Sequence, residues 1–141
     1  MTQPHHVPQD LNAVLEAIPY VRHIGARAEI AGDEMTAILP FSEHLIGNPL
    51  LPALHGGVIG GFMELTAVIQ LSIVQPQVKL PKPIDVTVEY LRSGRPLTTY
   101  ARAVVKKVGR RIANVQVEAW QTERDNPIAA LRGHFLISPS D

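Results

Sequence analysis

The sequence predicts a single α+β domain in which a long helix lies on one face of an antiparallel sheet of about six strands. Two observations lead to this prediction. Residues 55–73 lack proline and are apolar almost all round, which indicates a helix that is covered on most of its sides. After that helix, the chain alternates apolar and polar residues in segments joined by turn residues, as strands linked by hairpins do. These segments lie near 84–92, 97–107, 112–121 and 128–137.

The chain ahead of the long helix begins with an arm and a short helix. Residues 1–9 hold two prolines and two histidines without a periodic pattern, so we expect a loose arm, followed by one domain over residues 10–141. Asp10 is a candidate N-cap for a helix over residues 11–18, in which apolar residues recur at helical spacing until Pro19. That helix is expected to lie on an apolar surface.

A hairpin and a loop complete the N-terminal half. Between residues 24 and 40, apolar residues recur at every second position on either side of a Gly32-Asp33 turn, which is typical of two paired strands. Residues 41–54 contain too many glycine, asparagine and proline positions for regular structure. We therefore expect a loop there that leads into the long helix.

Composition excludes several classes of function. The 141 residues fit one domain, and Lys plus Arg and Asp plus Glu both number 13, which leaves no basic excess to hold nucleic acid. The longest run of wholly apolar residues falls well short of the roughly 20 that cross a bilayer, and the first residues lack the basic and apolar regions of a signal peptide. We expect a cytoplasmic protein without a membrane or nucleic-acid partner. The absence of cysteine excludes disulfides, thiolate metal sites and cysteine nucleophiles.

Glu64 is the only Asp, Glu, Lys or Arg between Leu45 and Val78, and it stands in the middle of the apolar helix. Moving an unpaired carboxylate out of water costs several kcal/mol, so the group must find a partner, stay protonated or border a cleft. A structural carboxylate that is satisfied by an arginine or by backbone donors fits the pattern, and so does a functional one. We favour the functional interpretation.

Glycines are concentrated where this helix begins, directly after His55. They are Gly56, Gly57, Gly60 and Gly61. Each glycine inside a helix costs about 1 kcal/mol against alanine, so the cluster indicates close approach of another backbone or a ligand. Free N–H groups at a helix start, aided by the macrodipole, can donate to a carbonyl oxygen that gains charge during attack. Tight packing against the sheet or a partner is the alternative explanation.

Gly56 and Glu64 are too far apart on one helix to share a substrate. At a rise of about 1.5 Å per residue they are separated by roughly 12 Å, whereas a hydrogen bond reaches about 3 Å. If two helices pack antiparallel about a two-fold axis, Glu64 of one protomer meets Gly56 of the other. We therefore predict an obligate homodimer, and a dimer of dimers remains open.

Parts of the chain resemble the hotdog-fold acyl-CoA thioesterases, over about residues 20–137. The resemblance is carried by His55-Gly56-Gly57 followed by Glu64, by the segment from Asp85 to Arg92, and by the closing hairpin from Gly109 to Trp120. It is nearest to the phenylacetate-pathway and 4-hydroxybenzoyl-CoA types. The resemblance implies a long central helix wrapped by a six-stranded antiparallel sheet. It also implies an acyl-CoA or aryl-CoA substrate, with coenzyme A as part of that substrate and no separate cofactor.

The resemblance also implies roles for particular residues. In that family the amide of the first glycine polarises the thioester carbonyl, and a carboxylate from the partner subunit acts as base or nucleophile; these roles fall on Gly56 and Glu64. Gly57, on the same glycine-rich stripe as Glu64, is a candidate substrate-binding residue because it lets the carbonyl approach the helix start. A family Asn or Gln ahead of the motif corresponds to Asn48, which stands one residue further upstream. His55 either helps to build the oxyanion site or forms hydrogen bonds at the helix start, and both roles remain open.

Three basic residues are candidate contacts for a phosphate-bearing ligand, and the histidines lack the spacing of a metal site. Coenzyme A carries phosphates, so Arg92, Lys107 and Arg110 are candidate contacts, although charges beside a turn are also typical of a solvated surface. The other histidines fall without paired metal-ligand spacing, so we expect no metal site.

Two other functions remain open. Pro83-Ile84-Asp85 departs from the family's usual Ser or Thr ahead of the aspartate, and proline has no hydroxyl to orient water. A module that binds an acyl thioester without turnover fits this departure. A loose similarity to hotdog dehydratases, which act on 3-hydroxyacyl thioesters, lies in the order of four residues: His44, Pro49, Pro52 and Glu64.

Overall fold

The computed structural model of the protein describes residues 11–32, 34–74 and 80–137. The helices are α1 (Leu11–Glu16), α2 (Pro19–Ile24) and α3 (Gly56–Val74), and a short 3-10 turn spans Glu43–Leu45. The strands are β1 (Arg27–Ala31), β2 (Glu34–Leu39), β3 (Ile46–Asn48), β4 (Ala53–Leu54), β5 (Lys82–Tyr90), β6 (Thr99–Val108), β7 (Ile112–Trp120) and β8 (Ala129–Leu136). The expected arm at 1–9 and the candidate N-cap at Asp10 lie outside the described residues.

The strands form one antiparallel sheet of six, in the order β1-β2-β6-β7-β8-β5, and β3 pairs with β4 in a separate ribbon. The predicted hairpin at residues 24–40 is confirmed as β1 and β2, which pair Arg27 with Ile38 and Ala31 with Glu34. The predicted sheet of six strands with one long helix is confirmed. Its two edges are β1 and β5.

α3 packs on one face of this sheet and forms the centre of the core. Phe62 and Met63 of the helix are fully buried, and so are the inward-facing Val115 of β7 and Phe135 of β8. Within the described ranges, α3 is long and apolar enough to cross a bilayer, but 56% of its most apolar stretch is buried inside the fold. Packing against the sheet therefore accounts for its apolar composition.

At residues 19–24 the sequence pattern predicts that one helix ends and a strand begins. The structure has a second helix there, α2. Pro19 begins α2, because its fixed φ suits the first turn of a helix, where no N–H is needed. Gly25 ends the helix at φ 79°, and its N–H donates to the Val21 carbonyl. The placement of Ile24 in the first strand is thus wrong: it is the last residue of α2 and is buried.

The predicted hairpin linkage of the last four strands is wrong for β5. β6, β7 and β8 are consecutive hairpins, but β5 crosses to the far edge and pairs with β8, while β6 pairs with β2. The link through Ser93-Gly94 packs on the start of α3 instead of forming a hairpin tip. Leu54 donates its N–H to the Gly94 carbonyl at 2.9 Å, and a β carbon at Gly94 would lie 3.0 Å from Ile59.

Residues 41–54, expected as a loop, contain the 3-10 turn and the β3-β4 ribbon. The segment is tied to the start of α3, because His55 donates its N–H to the Leu45 carbonyl at 2.9 Å. Gly47 lies against His55 so closely that an added β carbon would come within 2.7 Å of the His55 Cα. This ribbon therefore holds the first turn of α3 in place.

Candidate active site at the start of the long helix

His55 caps the N-terminus of α3. Its Nδ1 accepts the Gly57 N–H at 2.9 Å, and its carbonyl accepts the N–H groups of Val58 and Ile59 at 3.0 and 3.2 Å. The sequence left two roles open for His55, in the oxyanion site or in hydrogen bonds at the helix start. Its contacts match the second role. Because Nδ1 accepts a hydrogen bond, the proton of the neutral ring is on Nε2.

The Gly56 N–H is left free by this cap. Of the first four N–H groups of α3, three donate to His55, and within the described ranges the Gly56 N–H has no acceptor. An unsatisfied N–H at a helix start is a donor that is oriented toward whatever lies ahead of the helix. The geometry therefore leaves one amide available to a carbonyl oxygen.

The side of the helix start is packed by Tyr90, the last residue of β5. Its hydroxyl donates to the Gly56 carbonyl at 2.8 Å. A β carbon at Gly56 would lie 3.4 Å from the Tyr90 ring, and one at Gly60 would lie 3.3 Å from its hydroxyl. Tight packing is thus one reason for the glycines, as the alternative interpretation holds.

Tyr20 of α2 packs on the same helix one turn further on. A β carbon at Gly61 would come within 2.8 Å of the Tyr20 hydroxyl. Burial, and secondarily the negative charge of Glu64, raises the pKa of Tyr20. Neither tyrosine was identified from the sequence, because nothing in the local pattern of α2 or β5 indicates a contact with α3.

Glu64 is partly buried on α3, and its surroundings do not include a structural ion pair. Across residues 11–32, 34–74 and 80–137, no Lys, Arg or His lies within salt-bridge distance of its carboxylate. Its charge acts on Tyr20. An arginine that satisfies Glu64 within its own chain, the structural alternative, is not found in that part of the molecule.

Asn48 is exposed and engaged in a local turn. Its Oδ1 accepts the Leu50 N–H at 3.0 Å, which is an Asx-type turn at the tip of the β3-β4 ribbon. Leu50 and Leu51, which follow it, are 93% and 66% exposed. The ribbon tip therefore presents an apolar surface next to the start of α3.

The three basic residues proposed to contact phosphate are exposed but lie at opposite ends of the sheet. Arg92 follows β5 at the end where Tyr90 pairs with Ala129 of β8. Lys107 pairs with Asn114 near the far end of β6, and Arg110 is in the turn beyond it. A strand rises about 3.4 Å per residue, so Arg92 and Lys107 of one protomer are roughly 20 Å apart along the strand direction of the sheet. One protomer does not gather these three side chains.

Asp85 and His44 are both held by other groups. The register of β5 and β8 shifts between Pro83 and Asp85, and the Asp85 carboxylate lies 3.0 Å from His134 Nδ1. His44 accepts a hydrogen bond from Ser42 Oγ at 2.8 Å on Nδ1 and donates from Nε2 to the His23 carbonyl at 2.6 Å. Because both ring nitrogens are occupied, His44 lacks a free nitrogen for the dehydratase chemistry.

Comparisons with known proteins agree with the fold. The family described as "Thioesterase superfamily" matches residues 51–128. A protein of Chromobacterium violaceum is 38% identical, covers 94% of this chain and 93% of its own, and superposes with a TM-score of 0.76. A thioesterase from Haemophilus influenzae is 22% identical, covers 99% and 96%, and has a TM-score of 0.84. A Bacillus halodurans protein solved with CoA is 16% identical, covers 88% and 81%, and has a TM-score of 0.77.

A search of curated proteins gave no match. The family match extends over more than half of the chain and includes α3 with its glycine-rich start and Glu64. The TM-scores and the coverage of the solved relatives show that they share the fold over nearly the whole chain. The chain therefore belongs to the thioesterase superfamily and has the hotdog fold.

Proposed function

We propose that the protein hydrolyses acyl-CoA or aryl-CoA thioesters to a free acid and coenzyme A, at two sites that two copies of the chain build together. The observation that carries the proposal is α3 itself, which begins with the free Gly56 N–H and bears Glu64 on its glycine-rich side. Membership of the thioesterase superfamily supports hydrolysis, and the relative solved with CoA supports coenzyme A as the carrier. From the His55-Gly56-Gly57 motif we favour the phenylacetate-pathway or 4-hydroxybenzoyl-CoA type.

The proposed chemistry uses the two groups at different atoms of the thioester. The Gly56 N–H donates to the carbonyl oxygen, and this hydrogen bond strengthens as negative charge develops there during attack. Glu64 of the other protomer takes a proton from water while the water oxygen attacks the carbonyl carbon. Alternatively, Glu64 attacks the carbon and water then opens the resulting anhydride. In either route the C–S bond breaks and the sulfur leaves as the thiolate of coenzyme A, which takes up a proton.

The proposed dimer is supported by the free edge of β5. Val86 and Tyr90 face the same side of the sheet as the core, yet they are 39% and 55% exposed. Leu91, just beyond the strand, is 50% exposed. A nine-residue edge strand with uncovered apolar side chains is a template for pairing with another chain. Antiparallel pairing of β5 with its copy covers these side chains and sets two α3 helices side by side.

Replacing the charge of Glu64 tests the proposed function. We expect Glu64→Gln to lower kcat/KM for thiol release from acyl- and aryl-CoA substrates by at least about a hundredfold, the usual contribution of a general base. Glu118→Gln is the matched control, because Glu118 lies exposed on the opposite face of the sheet. Hydrolysis at the wild-type rate in Glu64→Gln removes Glu64 from the mechanism.

A module that binds acyl thioesters without turnover is the second candidate, because Pro83 offers no hydroxyl and the Asp85 carboxylate is engaged with His134. Its signature is binding of a non-hydrolysable S-alkyl-CoA thioether, measured by calorimetry, without thiol release from any substrate of the panel. Thiol release that depends on Glu64 rules it out.

A further inference from the structure

The side of α3 that bears Glu64 is closed by a phenol from another helix. Tyr20 extends from α2 and lies with its hydroxyl and ring edge on the backbone of α3. A β carbon built at Gly61 would be 2.8 Å from the Tyr20 hydroxyl, 2.9 Å from Cε1 and 3.1 Å from Cζ. The ring therefore occupies the space that any residue larger than glycine would fill.

Tyr20 and Glu64 belong to the same side of the helix. Glu64 follows Gly61 by three residues, so the two positions lie on one face, one turn apart. Helical side chains point back toward the N-terminus, so the Glu64 side chain leans over the turn that Tyr20 contacts. The effect of the Glu64 charge on the pKa of Tyr20, which it raises in addition to burial, agrees with this proximity.

The two tyrosines border the glycine-rich side at different points. Tyr90 is anchored by its hydrogen bond to the Gly56 carbonyl, so it is part of the framework of the helix start. Tyr20 is 38% exposed, and its hydroxyl has no hydrogen-bond acceptor within the described ranges. Its ring can therefore meet a ligand without first breaking a hydrogen bond.

We propose that Tyr20 is a specificity-determining residue whose ring limits the length of the acyl group that the site accepts. The inference rests on the proposed thioesterase site. A carbonyl carbon within reach of Glu64 carries its acyl chain past the same face of α3, where Tyr20 covers the turn at Gly61. Acyl groups long enough to reach the ring must displace it, and shorter ones fit in front of it.

The test compares length profiles across variants of Tyr20. Tyr20→Ala removes the ring, and Tyr20→Phe retains the ring without the hydroxyl. Arg22→Ala is the matched control on α2, because Arg22 is exposed and its side chain makes one hydrogen bond, to the Glu16 carbonyl. Each protein is assayed for kcat/KM with straight-chain acyl-CoAs of increasing length, and for Kd with the S-alkyl-CoA thioethers of the same lengths.

We expect Tyr20→Ala to shift the preferred length upward, with a gain of at least about tenfold for the acyl groups that wild type accepts least, since each methylene in a pocket discriminates by about 10-fold or more. Tyr20→Phe and Arg22→Ala should retain the wild-type profile. An unchanged profile in Tyr20→Ala, or an equal shift in Arg22→Ala, overturns the inference.

Gly61→Ala gives an independent reading of the same contact. The added methyl group must push the Tyr20 hydroxyl away, so Gly61→Ala should change the length profile when Tyr20 is present. In a protein that already carries Tyr20→Ala, adding Gly61→Ala should leave the profile unchanged. Failure of the proposed function is distinguishable from failure of this inference. If no substrate is hydrolysed, the thioether Kd values still report the length limit, and a limit that is the same with and without the ring overturns the role of Tyr20.

Discussion

At the scale of single residues, aromatic rings lie over all four glycines of α3, two tyrosines over three of them and His55 over Gly57. Tyr90 lies over Gly56 and Gly60, and Tyr20 lies over Gly61. Glycine in a helix costs about 1 kcal/mol against alanine, and here the loss is offset by contacts with aromatic rings, of which the Tyr20 contact at Gly61 leaves no room for a β carbon. The same tyrosines border the start of α3 with its free Gly56 N–H and the turn that bears Glu64, so packing and the proposed chemistry involve the same stretch of helix.

The raised pKa of Tyr20 predicts a loss of stability at alkaline pH. Burial first, and the Glu64 charge second, hold the pKa of this phenol above its ordinary value of 10.0. The unfolded chain therefore loses the proton at a lower pH than the folded protein does. The contribution to stability is complete below pH 10.0 and is lost as the pH rises through the folded-state pKa. Urea unfolding should show a steeper alkaline decline for wild type than for Tyr20→Phe, and parallel declines would contradict the prediction.

At the scale of elements, β5 is shaped at both ends by its neighbours. Its register with β8 shifts between Pro83 and Asp85, and Gly133 of β8 pairs with the next residue, Val86. A β carbon at Gly133 would lie 2.7 Å from the Asp85 carbonyl oxygen, so the bulge depends on the glycine. At its other end, Tyr90 binds the start of α3. The strand is therefore held firmly to its own chain while its outer edge stays unpaired within the described residues.

A charge on the core-facing side of β5 should prevent the proposed dimer. Val86→Glu places a carboxylate where the second copy would cover it, at a cost of several kcal/mol, which raises the Kd of the dimer by about a hundredfold or more. Thiol release should fall in parallel, because both sites need two chains. Thr87→Glu is the matched control, since Thr87 faces the opposite side of the sheet and lies across from Arg132. Light scattering that finds wild type and Val86→Glu in the same state would reject the β5 interface.

At the scale of the whole molecule, the roughly 12 Å between Gly56 and Glu64 along α3 decides what one chain can do. A carbonyl oxygen that is bound by the Gly56 N–H is beyond the reach of Glu64 on the same helix. In the proposed dimer, a two-fold axis near the middle of this interval, close to Gly60, sets each group opposite its complement. Two equivalent sites then follow from one interface.

Complementation between inactive variants tests this arrangement. Gly56→Pro removes the proposed oxyanion donor while retaining a residue that suits the first position of a helix. Glu64→Gln removes the proposed base. In an equal mixture that exchanges subunits freely, half of the dimers are mixed and each has one intact site, so activity should recover to about a quarter of wild type. A mixture as inactive as its components, with exchange shown by mass spectrometry, would mean that Gly56 and Glu64 do not act together across the interface.

The fold class and the central motif could be predicted from local pattern alone. A helix apolar on every side and segments of alternating residues are periodicities that any short window of sequence displays. His55-Gly56-Gly57 and the isolated Glu64 are equally local, because they are exceptions within an otherwise uniform apolar run. Pro19 and Gly25 also carried a local signal, an N-terminal proline and a C-terminal glycine, that predicts α2 when both are taken together.

The contacts between distant segments were decided by the tertiary structure. Whether β5 pairs with β6 or with β8 depends on which edge of the sheet remains open once α3 is packed, and no single segment encodes that. Tyr20 and Tyr90 meet the glycines of α3 across 41 and 34 positions of sequence, and their own segments look like any other amphipathic helix and strand. Sequence by itself therefore determined which residues are unusual. Only packing determined what lies beside them, because side-chain neighbours follow from how whole elements fit together.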